Sequence, residues 1–490
     1  MKHLKRLALT LLSAALVVCW SGPTLLSRPA LSIAPSAAES PEAADAPVLS
    51  GQPIAFASPA INTFIEADTL YRNGDVEAAA ALYRQVKPDF ETTLPEIPEP
   101  VYDPEALSPE TQVYWAAAQA AMEEGDEEAA IEPLQQVFAA QPEFIDGTLT
   151  LAQMLQEEDQ EEEAIAVLEQ AAVMYPDSAE IVMAQVLALA EEDEHLEASI
   201  AAREFALLNL DHPQSREFQD IADEEFGRFQ KKRRRRGIFS GIGNILTRVF
   251  TGDAPWESWD SVLETAGLVR MMVGSESEVG AQLAAGHRRQ VTLVEDPEVV
   301  DYVTQLGLQV ARLSGRDLEY EFFVVQDDAI NASAFPGGKI FVNTGAIKAA
   351  KSQAELAGLL AHEVSHSVLS HGLQSFFRDD MMTRLGDEVP LGQFAATMLS
   401  MHFSRKQERQ SDVLGNRILS TAGYAADGLR NFFVTLDQMN QSQSLDISLL
   451  STHPVTSDRV EYLEQLIQRN GYNRYALEGV DKHSEIRAML

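Results

Sequence analysis

The chain has 490 residues, with 37 Lys and Arg against 75 Asp and Glu and a formal net charge of −38. That length leaves room for two or three domains, and so acidic a chain excludes nucleic acid as a partner, because phosphate contacts need a basic face. Hydrophobic residues make up 45% of the chain and aromatics 7%, which suits a globular, helix-rich protein. The single cysteine, Cys19, excludes an intrachain disulfide and a thiolate metal site in the body of the chain.

Lys2, Lys5 and Arg6 precede an apolar stretch from Leu7 to Trp20. The stretch is shorter than the roughly 20 residues of a membrane span, and with its basic flank it reads as a secretory signal. Leu16-Val-Val-Cys19 has the outline of a lipoprotein box, with Val18 where a small residue is expected. Ser36-Ala37-Ala38 offers a conventional cleavage site, and an uncleaved anchor is the third possibility. Residues 1–38 are assigned to the signal and the start of a tether, and 39–56, Pro- and Ala-rich without a period, to the tether itself. Export across a bacterial-type membrane, to the periplasm or a membrane-associated place in the cell envelope, is the resulting expectation.

Residues 57–222 repeat. Gly125, Asp159 and Asp193 are spaced by 34, as are Ala130, Ala164 and Ala198, and Pro142 and Pro176 keep the same interval. A period of 34 with helix–turn–helix content is the tetratricopeptide signature. An earlier unit from Ala67 to Asp75, with Ala79, Tyr83 and Pro88, stands off by a Pro-rich loop between Pro95 and Pro109. Four such units are expected to stack into a solenoid whose concave face holds an extended peptide or a partner. The plainer reading is an array that only spaces and solubilises the C-terminal half of the chain.

Residues 223–262 form a basic and amphipathic linker. Lys231 to Arg236 are six consecutive cations, followed by Ile238, Phe239, Ile242, Ile245, Leu246, Val249 and Phe250 at near-helical spacing. Cations beside an amphipathic stretch suit an anionic membrane surface, with 231–250 as the contact. A flexible linker or a helix packed on the next domain are the alternatives.

The remainder mixes helices and strands. Residues 259–285 read as helical, and Pro297 to Arg312 as an amphipathic helix. Leu318 to Val325 read as a strand, Pro336-Gly337-Gly338 as a tight turn, and Lys339 to Asn343 as a second strand. An apolar helix then carries His362, Glu363 and His366 in the pattern H-E-x-x-H. Positions i and i+4 share a helix face, so both imidazoles can donate to one zinc ion while Glu363 stands beside it as the base for a bound water. The 140° offset of His371 from His366 on a continued helix argues against a ligand there, and His402 lacks a motif. Residues 376–392 lie between the motif and the next helix as a candidate lid or a plain loop. Glu408 and Asp412 are one turn apart on that helix, which Gly423 is placed to stop. One of them can ligate zinc while the other holds the far nitrogen of a ligand histidine, unless both belong to a solvated charged face beside Arg405, Lys406 and Arg409.

H-E-V-S-H followed about forty residues later by F-S-R-K-Q-E-R-Q-S-D-V-L-G resembles the gluzincin peptidases related to HtpX and the CAAX prenyl proteases, metallopeptidase family forty-eight. Glu278-Val-Gly280, Asn331 to Gly345 and the S-T-H-P-V-T-S-D-R stretch from Ser451 to Arg459 resemble further motifs of that family, in order, and the resemblance covers about 263–475. Ser411 departs mildly from the small residue usual before the Asp. The resemblance implies an α+β fold: a zincin-like catalytic domain over 263–475, mostly helical with a small sheet, preceded by the all-α tetratricopeptide solenoid and followed by a tail at 476–490. It implies one Zn2+ per chain held by His362, His366 and Glu408, with Asp412 behind them and a fourth position for water. It places Ala332 to Ala334 where an edge strand would hold extended substrate. It brings His453 and Arg459 to the active site, Arg459 to stabilise an oxyanion or orient a carboxylate, His453 to assist the reaction or block the open position. The implied activity is zinc-dependent endopeptidase action on misfolded or unassembled envelope proteins. The alternative is an envelope assembly factor or chaperone that works through its solenoid with a self-inhibited or rarely used site.

Overall fold

The computed structural model describes residues 58–90, 92, 94, 98–251, 275–378, 402–441 and 447–490. The expected signal and tether, the linker and helix readings over 252–274, and 379–392 of the candidate lid lie outside the described residues. The described chain is mostly helical with one small sheet. It divides into two compact units, one holding 97–175 and the other holding 41–96 together with 176–490.

The larger unit begins with a hairpin of α1 (Ser58–Arg72) and α2 (Val76–Val86). The smaller unit comes next, with α3 (Pro109–Glu124), α4 (Glu127–Ala140), α5 (Ile145–Glu157) and α6 (Glu161–Met174). Ser108 caps α3 and Asp126 caps α4, each accepting a backbone N–H of the first turn. Leu107, Val137 and Phe144 form a buried core there, with Trp115 edge-on to Phe144 at 5.0 Å.

The larger unit resumes with α7 (Ala179–Glu191), α8 (His195–Leu208) and the long α9 (Ser215–Thr251). The 34-residue period has a backbone cause. Gly125, Asp159 and Asp193 all turn between helices at positive φ, 76°, 57° and 61°. Glycine reaches that region freely and Asp is among the few other residues that tolerate it. The basic run lies within α9, where Lys232 donates to the Asp193 carbonyl at 3.0 Å and Arg233 is buried. At least two of its six cations are thus engaged by the protein. The side chains of 236–250 lie outside the described residues.

The C-terminal part of this unit comprises α10 (Glu276–Arg288), α11 (Pro297–Ala311), β1 (Glu321–Val325), β2 (Ala332–Phe335), β3 (Lys339–Asn343), α12 (Thr344–Ala349), α13 (Gln353–Val368) and α14 (His371–Arg378). It closes with α15 (Arg405–Thr421), α16 (Gly428–Gln441), α17 (Leu449–Thr452), α18 (Ser457–Arg469) and α19 (Val480–Met489). The sheet order is β1-β3-β2, with β3 parallel to β1 and antiparallel to β2. β2 is therefore an edge strand among the described residues, with Ala332 paired to Val342 and Ala334 to Ile340.

Helix α13 is the centre of this body. Ser352 caps it by accepting the Glu355 N–H at 3.2 Å, and every residue from Ala354 to Val368 is buried. It packs against α15, α16, α11 and β2. Each fully buried Leu or Val contributes about 1.5–3 kcal/mol, so the helix is held from all sides, as rigid placement of its polar residues requires. α15 crosses it closely because Gly415 has no side chain: a Cβ there would stand 3.0 Å from the backbone nitrogen of His362.

Candidate metal centre

Four donor atoms converge at the crossing of α13 and α15. His362 Nε2 and His366 Nε2 are 3.1 Å apart, and His453 Nδ1, just after α17, is 3.3 Å from His362 Nε2. Glu408 Oε1 lies 2.8 Å from His453 Nδ1 and 3.5 Å from His366 Nε2, while its Oε2 is 3.7 Å from His362 Nε2. All four side chains are buried, and no two of the donor atoms are more than 4.8 Å apart. Donors on a tetrahedron with bonds of about 2.0–2.1 Å stand roughly 3.3 Å from one another, and the observed spacings straddle that value. Nitrogen and carboxylate donors of this kind suit a zinc-sized divalent ion, so the residues present fit a metal.

Glu363 supports the same conclusion. It is fully buried, and neither carboxylate oxygen has a hydrogen-bond partner among the described residues. A buried polar group without a partner is costly unless function keeps it there. Burial pushes its pKa above the ordinary carboxylate value, although His453 and His362 pull the other way. Its Oε1 is 3.7 Å from His453 Nε2.

A second layer of polar side chains holds the first. Asp412 Oδ1 is 2.9 Å from His362 Nδ1. Arg459 grips Asp412 through Nε at 2.8 Å and Nη2 at 2.7 Å, and its Nη1 is 2.7 Å from Glu408 Oε2. Burial alone would raise both carboxylates. For Glu408 the charges of His453 and Arg459 outweigh it and hold the group well below its ordinary pKa. Arg459 and His362 lower Asp412 in the same way. Burial lowers His366 well below its ordinary value, so it stays neutral and its lone pair is free to donate. The Arg459 guanidinium also donates to the Pro454 carbonyl at 2.9 Å. It is thus committed to two carboxylates and a carbonyl.

Of the residues picked from the sequence, His362, His366, Glu408 and His453 meet at one point, with Glu363 beside them and Asp412 and Arg459 behind. His402 is exposed and stands apart. His371 behaves differently from the angular expectation. The helix does not continue: α13 ends at Val368 and Ser370 takes a φ of 55°. The chain turns, and His371 Nδ1 comes back to 3.0 Å from His366 Nδ1. Burial lowers its pKa to about 3, so this ring is neutral as well. Two contributors, Tyr462 and Arg316, had no sequence signal, and Phe403 carried none beyond its place in the F-S-R-K-Q-E stretch. The Tyr462 hydroxyl donates to Asp412. Phe403 lies against the His366 ring, centroids 4.0 Å apart. Arg316 caps the end of α13 by donating to the carbonyls of Ser367 and Val368 at 3.3 and 3.0 Å.

A helix presenting H-E-x-x-H against a second helix that supplies a glutamate, over a small sheet, is the architecture of a zincin-class metallopeptidase domain. Residues 297–467 match the sequence model of peptidase family M48, and 121–187 match that of the tetratricopeptide repeat. The chain thus carries an M48 peptidase domain together with tetratricopeptide repeats. It is similar to the beta-barrel assembly-enhancing protease of Escherichia coli (strain K12), 24% identical over 210 residues, which are 39% of this chain and 43% of that protein. It is also similar to a putative beta-barrel assembly-enhancing protease of Vibrio cholerae, 27% identical over 193 residues, 35% of this chain and 40% of that one. The mitochondrial metalloendopeptidase OMA1 of Schizosaccharomyces pombe is 29% identical over 174 residues, 34% of this chain and 52% of its own length. The chain spans about two fifths of the length of the first two of these relatives. No helix among the described residues is long and apolar enough to cross a membrane.

Proposed function

We propose that the chain is a zinc-dependent endopeptidase of the cell envelope that cuts misfolded or unassembled proteins, with its repeats docking substrate or a partner. The observation that carries this reading is the buried convergence of His362, His366, Glu408 and His453 with an unpartnered Glu363 carboxylate beside them. One Zn2+ per chain, held by His362, His366 and Glu408, would supply Lewis acidity, acidifying a water and polarising the scissile carbonyl. Glu363 takes the proton of the attacking water, which its raised pKa suits it to hold, and passes it to the leaving amine. Asp412 fixes the ring of His362, and Arg459 fixes Asp412 and Glu408. The outer edge of β2, Ala332 to Ala334, unpaired among the described residues, is suited to hold extended substrate by main-chain hydrogen bonds whatever its sequence. The envelope setting draws on the N-terminal signal pattern and on relatives named for enhancing β-barrel assembly. Residues 231–250 remain the candidate contact with an anionic membrane surface.

A second reading has its own observation. His453 Nδ1 sits among the other three donors, where a water would bind in an open site. On this reading the centre would be self-inhibited, and an assembly factor or chaperone acting through its repeats would retain it as a rarely used activity.

The test compares the wild-type chain without residues 1–38 with Glu363→Gln, on an unfolded model protein with zinc, reading new N-termini by mass spectrometry. Cleavage by the wild type alone is the expected result. Equal cleavage by both would sink the assignment of Glu363, and silence from both would favour the second reading.

A further inference from the structure

The outer nitrogen of His366 opens onto a line of polar side chains that ends on a repeat helix. His366 Nδ1 is 3.0 Å from His371 Nδ1, and His371 Nε2 is 3.2 Å from Gln410 Oε1. Gln410 Nε2 then donates to Glu204 Oε2 on α8 at 2.7 Å. We propose that Gln410 and Glu204 are positioning residues for His366, so that the last repeat hairpin, α7–α8, sets the metal affinity and turnover of the centre. The proposal rests on the reading of His366 as a metal ligand.

The donors and acceptors of the line agree in one direction only. His366 Nε2 faces the other three donor atoms and must offer its lone pair there, so its ring hydrogen sits on Nδ1. That N–H donates to His371 Nδ1, which must accept. A neutral imidazole that accepts at one nitrogen donates at the other, so His371 Nε2–H goes to the Gln410 carbonyl oxygen. The amide NH2 of Gln410 is left to face a carboxylate, which is where Glu204 stands. The Ser411 hydroxyl lies 3.2 Å from the same His371 Nδ1, whose single lone pair it would share with the His366 N–H. His371 and Gln410 are buried, so water has little access to replace a lost link.

A metal-bound imidazole is oriented by whatever its other nitrogen touches, and losing such a partner typically costs about 10–100-fold in metal affinity or activity. Here the terminal member lies about 160 residues before its ligand in sequence, on a different functional element. A shift of α8 that stretches the Gln410–Glu204 bond would reach the His366 ring through three hydrogen bonds, without moving α13. A neighbouring bridge serves as the control. Glu197, also on α8, accepts from Gln374 at 3.4 Å, and Gln374 accepts from Gln407 at 2.6 Å, and among the described residues no hydrogen bond of the Gln374 or Gln407 side chain reaches the four converging side chains.

The experiment uses the full metal-free chain and titrates zinc against a chromophoric chelator, with Co2+ spectra as a second signature. Gln410→Leu is expected to weaken zinc binding by about 10–100-fold. Glu204→Leu is expected to weaken it several-fold, with an altered Co2+ spectrum. Glu204→Gln keeps an acceptor oxygen and should restore near wild-type binding, and Glu197→Leu should leave it unchanged. At saturating zinc, kcat should fall in Gln410→Leu while KM stays within about twofold. Wild-type affinity in both Gln410→Leu and Glu204→Leu would overturn the proposal, as would equal losses in Glu204→Leu, Glu204→Gln and Glu197→Leu. If Gln410→Leu fails to fold, the two Glu204 variants decide. A wild type that binds zinc but cuts nothing would sink the peptidase reading alone, and the affinities would still decide the relay.

Discussion

Arg459 and Asp412 form a two-pronged ion pair in the interior, Nε to Oδ2 at 2.8 Å and Nη2 to Oδ1 at 2.7 Å, with both side chains less than a tenth exposed. The fork fixes Asp412, and Asp412 in turn lies against His362, so one guanidinium sets the orientation of a candidate ligand on another helix. Arg459→Leu should cost about 3–5 kcal/mol of stability, because Asp412 is left charged and buried without its partner. Arg459→Lys should recover only part of this, since an ammonium cannot make both bonds at once. Urea unfolding of the three proteins measures the difference. A loss below about 1 kcal/mol in Arg459→Leu would mean that the pair contributes no more than an exposed one.

His453 Nδ1 lies 3.3 Å from His362 Nε2 and 2.8 Å from Glu408 Oε1, so in the proposed peptidase it would stand where a hydrolase keeps a position for water. His453→Ala should therefore raise the rate of cleavage of an unfolded protein while weakening zinc binding, because one of four donors is gone. Steady-state rates at saturating zinc, beside a chelator titration, separate the two effects. A slower variant at full zinc occupancy would show instead that His453 takes part in the reaction.

The helix bearing His362 and Glu363, the glutamate helix and the turn positions at Gly125, Asp159 and Asp193 are all legible in the sequence, because each is a local pattern with a local cause. Ligand spacing follows the helix repeat, and the period of 34 follows the left-handed turns. The M48 match over 297–467 and the repeat match over 121–187 agree with that reading. The connections between distant segments are not legible. Nothing near Glu204 or Gln410 announces that they meet, and Arg316 has no motif at all. An unbroken helix would carry His371 away from His366, but Ser370 at a φ of 55° turns the chain back on it. Local periodicity says which face a residue occupies only while the helix lasts.

Lys87, at the end of the first hairpin, is another such connection. Its ammonium is fully buried, 2.8 Å from Asp427 and 2.5 Å from Glu478, some 340 and 390 residues on. Asp68 in α1 accepts the N–H groups of Glu478 and Val480 at 2.9 Å each, so the hairpin is fastened beside α19 at two points. Lys87→Met should lower stability by about 3–5 kcal/mol at neutral pH, by leaving Glu478 without its cation and Asp427 with Arg474, 3.3 Å away, as its remaining partner. Lys87→Met combined with Asp427→Asn should recover much of this loss. Thermal unfolding of the single and double variants makes the comparison, and simple additivity of two losses would show that the charges do not interact.

Glu355, in the first turn of α13, gives the fold a pH dependence of its own. Burial, reinforced by the charges of Glu478 and Asp427, raises its pKa from 4.5 to about 8, even though it accepts the Lys351 N–H at 2.9 Å. Below pH 4.5 the group is protonated in both the folded and the unfolded chain, and its contribution is fully present. Between that pH and about 8 the unfolded chain loses the proton while the folded chain keeps it, so stability falls as pH rises. The slope reaches about 1.4 kcal/mol per pH unit and levels off above the folded pKa. Glu355→Gln removes the titration and keeps the shape. The variant should gain on the wild type steadily from mildly acidic to alkaline pH, and urea unfolding of both metal-free chains from pH 5 to about 9 follows the gap. The four converging side chains are the same in both proteins, so their contribution cancels from that difference. A gap that stays constant with pH would show that Glu355 ionises in the folded chain as it does in water.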